Sequence, residues 1–103
     1  MTKGKIAAQC CHSTLANYKS ALRSDPKSLR AWEERGQAKV TLKCNSESEM
    51  IELQRHARAL KLVANITRDA GKTQIAAGTQ TVLAIGPGPA SVVDKVTGHL
   101  KLY

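Results

Sequence analysis

The sequence predicts a single α/β domain over residues 1–103, with a small mixed sheet of three strands and helices on both of its faces. Segments with helical periodicity alternate along the chain with short strand-like runs, which is typical of this class. A chain of 103 residues has room for only one core, and its hydrophobic content of 42% is enough to fill one. The nearly continuous apolar run at 80–86 indicates a central strand that is covered on both sides.

The first two predicted helices lie in the N-terminal third. Residues 5–23 form the first, because apolar side chains recur there at helical spacing and make a candidate buried stripe. That stripe consists of Ala7, Cys11, Leu15, Tyr18 and Leu22. A short second helix follows, with Ser24 or Asp25 as its cap, Pro26 in its first turn and Gly36 at its end.

Two more helices are predicted further along the chain. Ser46 stands three residues before Glu49, the spacing of a capping box, so an amphipathic helix is expected over 47–60. Its apolar positions are Met50, Leu53, Ala57 and Leu60. The last helix is short and lies between Pro89 and Gly98.

Three strands complete the predicted fold. They cover residues 39–44, 62–68 and 80–86, each rich in β-branched or apolar side chains. The chain therefore opens on a helix, and three strands make a thin sheet for a domain of this class.

Charge is the most informative feature of the composition. The chain has 16 lysines and arginines against eight acids, a net charge of +8, and nine of those bases with only three acids fall in residues 1–43. A basic surface of this kind favours a polyanionic partner. The three aromatic residues are too few for bases to stack on an aromatic sheet, so an RNA would be held by its backbone.

Several classes of protein are disfavoured. No apolar run approaches the roughly 20 residues that span a bilayer, and the first residues lack the apolar core of a secretory signal. The chain has an odd number of cysteines, namely Cys10, Cys11 and Cys44, and no C-x-x-C pair. This pattern disfavours a disulfide framework or a zinc site, and it fits a protein of a reducing compartment.

Residues 71–73, Gly-Lys-Thr, suggest a phosphate-binding loop, but the surrounding pattern is wrong. The required first glycine falls at position 66, which is Ile66, and a strand follows where a helix is needed. An ordinary polar turn is one alternative. A ligand site is the other, because Asp69 and the threonines Thr79 and Thr81 gather at the predicted ends of two strands.

The first helix carries a second candidate site. Lys5, Gln9 and His12 are spaced i, i+4 and i+7, so they share one face near the helix start, where an anion is favoured. A solvated polar face is the alternative, and His12 can instead bond within the core. Cys10, Cys11 and His12 are consecutive and cannot all point at one metal ion.

At these residues the sequence resembles a known family. The segments KGKIAAQCCH, GQAKVTLK, RDAGKTQIAAGTQTVLAIGP and DKVTGHLKLY are similar in order and spacing to the type-2 (archaeal and eukaryotic) peptidyl-tRNA hydrolases. The resemblance extends from Lys3 over essentially the whole chain. It implies an enzyme that hydrolyses the ester between a peptide and the 3′ ribose of a tRNA, and so recycles tRNA from stalled translation.

The resemblance also implies residue roles. Lys5, Asp69, Thr73 and Thr81 match the family's catalytic positions, and Gln9 and His12 match its polar residues on the first helix. The tRNA backbone is expected on the basic half of the chain. Its candidate contacts there are Lys3, Lys19, Arg23 and Lys39.

Further expectations follow from the family. No metal or other cofactor is implied, and a homodimer is. A cytoplasmic location is the default expectation, with mitochondria as the other possibility. No membrane segment is expected in this chain.

One departure from the family pattern bears on activity. Members normally have an apolar strand before the first helix, giving four strands, and this sequence starts at the turn that follows it. The domain is therefore expected to be short at its N-terminus. A non-catalytic module that binds tRNA or a protein is the alternative function.

Overall fold

The computed structural model describes residues 2–68 and 81–103, which form four helices and a pair of strands. In chain order these elements are α1 (Lys3–Ser24), α2 (Pro26–Glu34), α3 (Glu47–Ala59), β1 (Ala64–Arg68), β2 (Thr81–Ile85) and α4 (Ala90–Thr97). The predicted α/β class and all four predicted helices are confirmed.

Side-chain caps explain where three of the helices begin. Thr2 Oγ1 accepts the Lys5 N–H at 3.3 Å, which starts α1 two residues earlier than predicted. Asp25 Oδ1 accepts the Ser28 N–H at 3.2 Å, with Pro26 as the first residue of α2. Ser46 Oγ accepts the Glu49 N–H at 3.1 Å and starts α3 as the capping box predicts.

The sheet is antiparallel, with Ala64 opposite Ile85 and Arg68 opposite Thr81. Within the described part of the chain, the prediction of three strands in a mixed sheet is wrong. Residues 39–44 make only an isolated bridge, Leu42 opposite Leu102, flanked by one backbone hydrogen bond on each side. This segment pairs with the C-terminal residues instead of joining β1 and β2, so its strand propensity is satisfied outside the sheet.

Helices lie on both faces of the strand pair, as predicted. Side chains alternate along a strand, so Ala64 and its cross-strand partner Ile85 share one face and Asn65 lies on the other. The first face packs against α3 and α4 in a hydrophobic core. The buried members of that core are Leu53, Ala57, Leu62, Ala64 and Val96. The side chain of Asn65 contacts α1 on the opposite face.

The predicted apolar stripe of α1 is wrong. Leu15 and Leu22 are 54% and 52% exposed, whereas the buried positions of α1 are spaced four apart and mostly polar. These buried positions are Gln9, Ser13, Asn17 and Ala21. The face of the sheet that α1 covers presents polar groups, so the helix turns its polar stripe inward and leaves part of its apolar stripe in water.

Asn17 is the centre of the contact between α1 and the sheet. Its Nδ2 donates to the carbonyl oxygen of Gly86 at 2.8 Å and, more weakly, to that of Val63 at 3.4 Å. Its Oδ1 accepts from Nδ2 of Asn65 at 2.8 Å, and the same nitrogen lies 3.1 Å from Oγ of Ser20. A single buried amide thus connects the helix to both strands.

The end of α3 is a Schellman motif. The Leu62 N–H donates to the Ala57 carbonyl at 2.9 Å and the Lys61 N–H to the Arg58 carbonyl at 2.9 Å. Leu62 is buried in the core with Ala57, which adds the hydrophobic contact of this motif. Lys61 occupies the left-handed position with φ of 64°, where glycine is the usual residue.

Replacing Lys61 with glycine is therefore expected to stabilise the protein by about 1 kcal/mol, because the left-handed conformation costs a residue with a Cβ roughly that much. Urea unfolding followed by circular dichroism measures the change. Lys61→Ala is the control, since it removes the same charge and keeps the Cβ. Equal stabilisation by both variants would mean that charge, rather than backbone strain, is responsible.

Candidate functional site

The direction of α1 places its N-terminus at one particular end of the sheet. Ser24 and Asp25, at the far end of α1, line one depression together with Leu62 and Val63, which precede β1. Helix and strand therefore run in opposite directions. Because α1 has 22 residues and is about 33 Å long, its first turns lie toward the paired strand ends, Arg68 and Thr81.

Lys5 stands in the first turn of α1 and is exposed. His12 is exposed two turns later, and Gln9 between them is buried, with 8% of its surface accessible. Each residue of a helix advances by about 100° around the axis, so these three positions point in similar directions and share one face, as the sequence predicts. Lys5 and His12 border the solvent, while Gln9 lies at the edge of the buried stripe.

Thr81 begins β2 opposite Arg68, at the end of the sheet that α1 approaches with its N-terminus. Its hydroxyl donates to Sδ of Met50 on α3 at 3.5 Å. Thr81 thus lies on the face toward α3, whereas Lys5 belongs to the helix on the opposite face. The structure places both at one end of the sheet and does not bring them onto one face.

Asp69 and Thr73 lie outside the described residues. In the chain Asp69 follows Arg68 directly and Thr73 comes four residues later, within residues 69–80, which connect the paired residues Arg68 and Thr81. Their roles therefore remain predictions from the sequence.

The four predicted backbone contacts differ in position. Lys19 and Arg23 are exposed on α1 and fall, with Lys5 and His12, within about 40° around the helix axis. Lys5, Lys19 and Arg23 form what we call the α1 cationic stripe, and His12 lies between them. Lys3 is about 160° away from Lys5 around the same axis, and lines a separate depression of about 520 Å³ on the side of the Leu42–Leu102 bridge.

Lys39 is tied to the turn after α2. Its Nζ donates to the Gln37 carbonyl at 2.6 Å and lies 5.3 Å from the centre of the Trp32 ring. The Trp32 indole N–H in turn donates to the Ala38 carbonyl at 2.8 Å. A cation–π contact thus fixes this lysine apart from the α1 cationic stripe.

Two of the thiols, Cys10 and Cys44, are poorly suited to nucleophilic catalysis. Burial raises the pKa of the Cys10 thiol, with the neighbouring Cys11 adding to the shift, and burial likewise raises the pKa of Cys44. The Asn45 N–H, 2.9 Å from Glu49 Oε1, lowers the pKa of the Glu49 carboxyl. Over residues 2–68 and 81–103, no three histidine, cysteine or acidic side chains are grouped to hold a metal ion.

Sequence reasoning missed the buried polar stripe of α1. Ser13 is 3% exposed, and its Oγ has no hydrogen-bond partner among the residues that the structure describes. The available signal was the four-residue spacing of Gln9, Ser13 and Asn17, all with compact or amide side chains. In the same described ranges, no helix has the length and apolar character to cross a membrane.

Comparison with known proteins places the chain in a family. The family model described as "Peptidyl-tRNA hydrolase PTH2" matches residues 1–103. The chain belongs to this family. The family resemblance predicted from the sequence is thereby confirmed over the full length.

Named relatives within the peptidyl-tRNA hydrolase family are similar to this chain over almost all of its residues. A human protein named "Peptidyl-tRNA hydrolase 2, mitochondrial" is 54% identical over 103 residues, covering 100% of this chain and 58% of that protein. A Schizosaccharomyces pombe protein named "Probable peptidyl-tRNA hydrolase 2" is 56% identical over 103 residues, which is 50% of its length. A Thermococcus onnurineus protein named "Peptidyl-tRNA hydrolase" is 44% identical over 102 residues, covering 99% of this chain and 86% of that protein. The chain thus spans only 50–58% of the length of these two eukaryotic relatives.

Proposed function

We propose that this chain carries peptidyl-tRNA hydrolase activity and cleaves the ester between a peptide and the 3′ ribose of tRNA, releasing free peptide and free tRNA. The observation that carries this proposal is the family match over all 103 residues. Relatives whose names state this activity, from human to Thermococcus onnurineus, support it.

The proposed reaction is attack of water on the ester carbonyl. Asp69 orients this water and accepts its proton, the role of a general base, and returns that proton to the ribose oxygen as the carbon–oxygen bond of the ester breaks. Lys5 stabilises the negative oxygen of the tetrahedral intermediate, and its charge keeps Asp69 ionised. The exposed position of Lys5, at the end of the sheet where β1 leads into Asp69, supports this pairing.

The remaining site residues are proposed to position the substrate. Thr73 and Thr81 hold the water or the ribose through their hydroxyl groups. The thioether that Thr81 now contacts is a weak acceptor and is readily exchanged for a substrate oxygen. His12 contacts the substrate from the exposed side of α1, and Gln9 supports the helix face behind it.

The tRNA backbone is proposed to lie along the α1 cationic stripe. Lys19 and Arg23 extend this stripe away from Lys5 over several turns of the helix. Lys3, in the separate depression, and Lys39, on the Trp32 ring, are proposed to contact the tRNA apart from this stripe. Each phosphate neutralised by a lysine or arginine releases counterions, so binding weakens steeply as salt is raised.

Incubating the purified chain with N-acetyl-aminoacyl-tRNA tests the proposal. The expected result is release of the N-acetyl amino acid, with a KM that rises several-fold between 50 and 200 mM salt, as phosphate contacts require in order of magnitude. A gel shift of the tRNA with the ester left intact would instead identify the chain as a non-catalytic binding module.

A homodimer and a cytoplasmic location remain proposals. The exposed apolar residues Leu15 and Leu22 on α1 are a surface that a second copy can cover. A single-chain mass in sedimentation equilibrium would contradict the homodimer.

The name of the human relative places that protein in mitochondria, and imaging of a tagged chain distinguishes the two compartments.

A further inference from the structure

A second basic surface lies at the far end of α1, away from Lys5. Arg58 and Lys61, from the end of α3, line a depression of about 400 Å³ beside Ser24 and Asp25. Arg23 precedes Ser24 on α1 and is exposed. We call Arg58 and Lys61 the distal basic surface, which continues from Arg23 at the end of the α1 cationic stripe.

Arg58 is held in place by the strand next to it. Its Nε donates to the Ala64 carbonyl at 2.9 Å, and its Nη2 lies 3.5 Å from Oδ1 of Asn65. A guanidinium group has five N–H donors, so most of the Arg58 donors stay available. Fixing the side chain in advance lowers the entropy cost of binding an anion there.

Lys61 is present where the backbone favours glycine. It adopts φ of 64°, is exposed, and its side chain makes no hydrogen bond or ion pair within the part of the chain that the structure describes. No hydrogen bond or ion pair of this side chain therefore stabilises the described part of the fold. A contact with a partner would account for a cationic side chain at a position that costs stability.

Among the residues that the structure describes, Asp25 is the one acid that lines the depression, and it is already engaged. Asp25 Oδ1 accepts the Ser28 N–H as the cap of α2, where the helix dipole partly neutralises its charge. The surface as a whole therefore attracts anions.

Distance separates this surface from the proposed site. Lys5 and Arg23 are 18 residues apart on α1, which corresponds to about 27 Å along the helix. Each nucleotide of an RNA strand covers only a fraction of that distance, so the span corresponds to several nucleotides. An RNA backbone that follows α1 from the ester would reach the distal basic surface only after that length.

We propose that the distal basic surface binds phosphates of the tRNA several nucleotides from the ester, so that it selects long RNA substrates over short ones. This inference rests on the proposed hydrolase function. It assigns to Arg58 and Lys61 a role in substrate binding with no part in the bond cleavage.

The test compares two substrates that share one ester. N-acetyl-aminoacyl-tRNA is long enough to reach the distal basic surface, and a trinucleotide with the same acylated 3′ end is not. The double variant Arg58→Ala/Lys61→Ala is expected to raise KM for the tRNA about tenfold, with kcat unchanged, and to make its salt dependence shallower by one to two phosphate contacts. Both kinetic constants for the trinucleotide should equal those of the wild-type protein.

Arg55→Ala/Lys101→Ala is the matched control, because it removes the same two charges at exposed positions that do not line the depression. Folding should survive the test variant, since Gln54 Nε2 also donates to the Ala64 carbonyl, at 3.2 Å. An equal effect of test and control variants, an unchanged KM for tRNA, or an equal loss on the trinucleotide would each overturn the proposal.

Measuring the binding of deacylated tRNA distinguishes a failure of this proposal from a failure of the proposed hydrolase activity. If the wild-type protein cleaves neither substrate, the hydrolase function fails, while weaker tRNA binding by Arg58→Ala/Lys61→Ala alone would still support the distal basic surface. Lys61→Gly gives a further readout, because it should raise stability and weaken tRNA binding at once. If Lys61 acted only through the fold, Lys61→Gly would raise stability and leave tRNA binding unchanged.

Discussion

Replacing Asp69 with asparagine is expected to lower kcat for N-acetyl-aminoacyl-tRNA by about 10²–10⁴-fold, the usual contribution of a general base. Asparagine keeps the size of the side chain and cannot accept the proton of the attacking water. The KM should change little, because the side chain acts on the reacting water rather than on the tRNA. Initial rates at saturating substrate measure the effect.

Glu34→Gln is the matched control for this variant, since it removes one exposed carboxylate near the end of α2. Its kcat should equal that of the wild-type protein. Retained activity in Asp69→Asn would remove Asp69 from the mechanism and leave the family assignment unchanged.

Replacing Asn17 with alanine is expected to destabilise the protein by about 2–4 kcal/mol. The change leaves the buried Gly86 carbonyl without its partner, which costs about 1–3 kcal/mol. It also removes one of the two acceptors of Asn65 Nδ2, which keeps Ser20 Oγ, and the lost hydrogen bond adds about 1 kcal/mol. For a chain of this size the midpoint of thermal unfolding should fall by roughly 10 °C or more. Calorimetry measures both quantities.

Leu15→Ala provides the comparison on the same helix. Leu15 is 54% exposed, so its truncation should change the free energy of unfolding by less than about 0.5 kcal/mol. A larger loss from Leu15→Ala than from Asn17→Ala would contradict the burial of the polar stripe and favour the apolar one.

Helix ends were predictable from the sequence because local chemistry determines them. Asp25 with Pro26, and Ser46 with Glu49, cap their helices through hydrogen bonds that span three residues. Such contacts form whatever the rest of the chain does, so a reader of the sequence can anticipate them.

The orientation of α1 and the pairing of residues 39–44 depend on distant partners. Asn17 is buried because it meets Gly86 and Asn65, which follow it by 69 and 48 residues. Hydrophobic spacing alone points to the opposite face of that helix. Leu42 likewise pairs with Leu102, at the far end of the chain, which propensity cannot reveal.

The candidate site, too, was predictable where local sequence determines it and not where it depends on distant partners. Motif spacing identified Lys5 and Thr81, and the structure places both at one end of the sheet. Alternation along β2 puts Thr81 on the α3 side, a detail that depends on strand register. Arg58 and Lys61 went unnoticed because their proximity to the end of α1 arises only from tertiary packing.

A double-mutant cycle tests most directly the central claim that Lys5 and Asp69 form one catalytic unit. We would measure kcat for N-acetyl-aminoacyl-tRNA with Lys5→Ala, Asp69→Asn and the double variant, with Lys101→Ala as the charge control. If the two residues act together, the double variant should be within about threefold of the slower single variant, because residues acting as a unit are strongly non-additive. Losses that multiply, or full activity in Lys5→Ala, would contradict the claim.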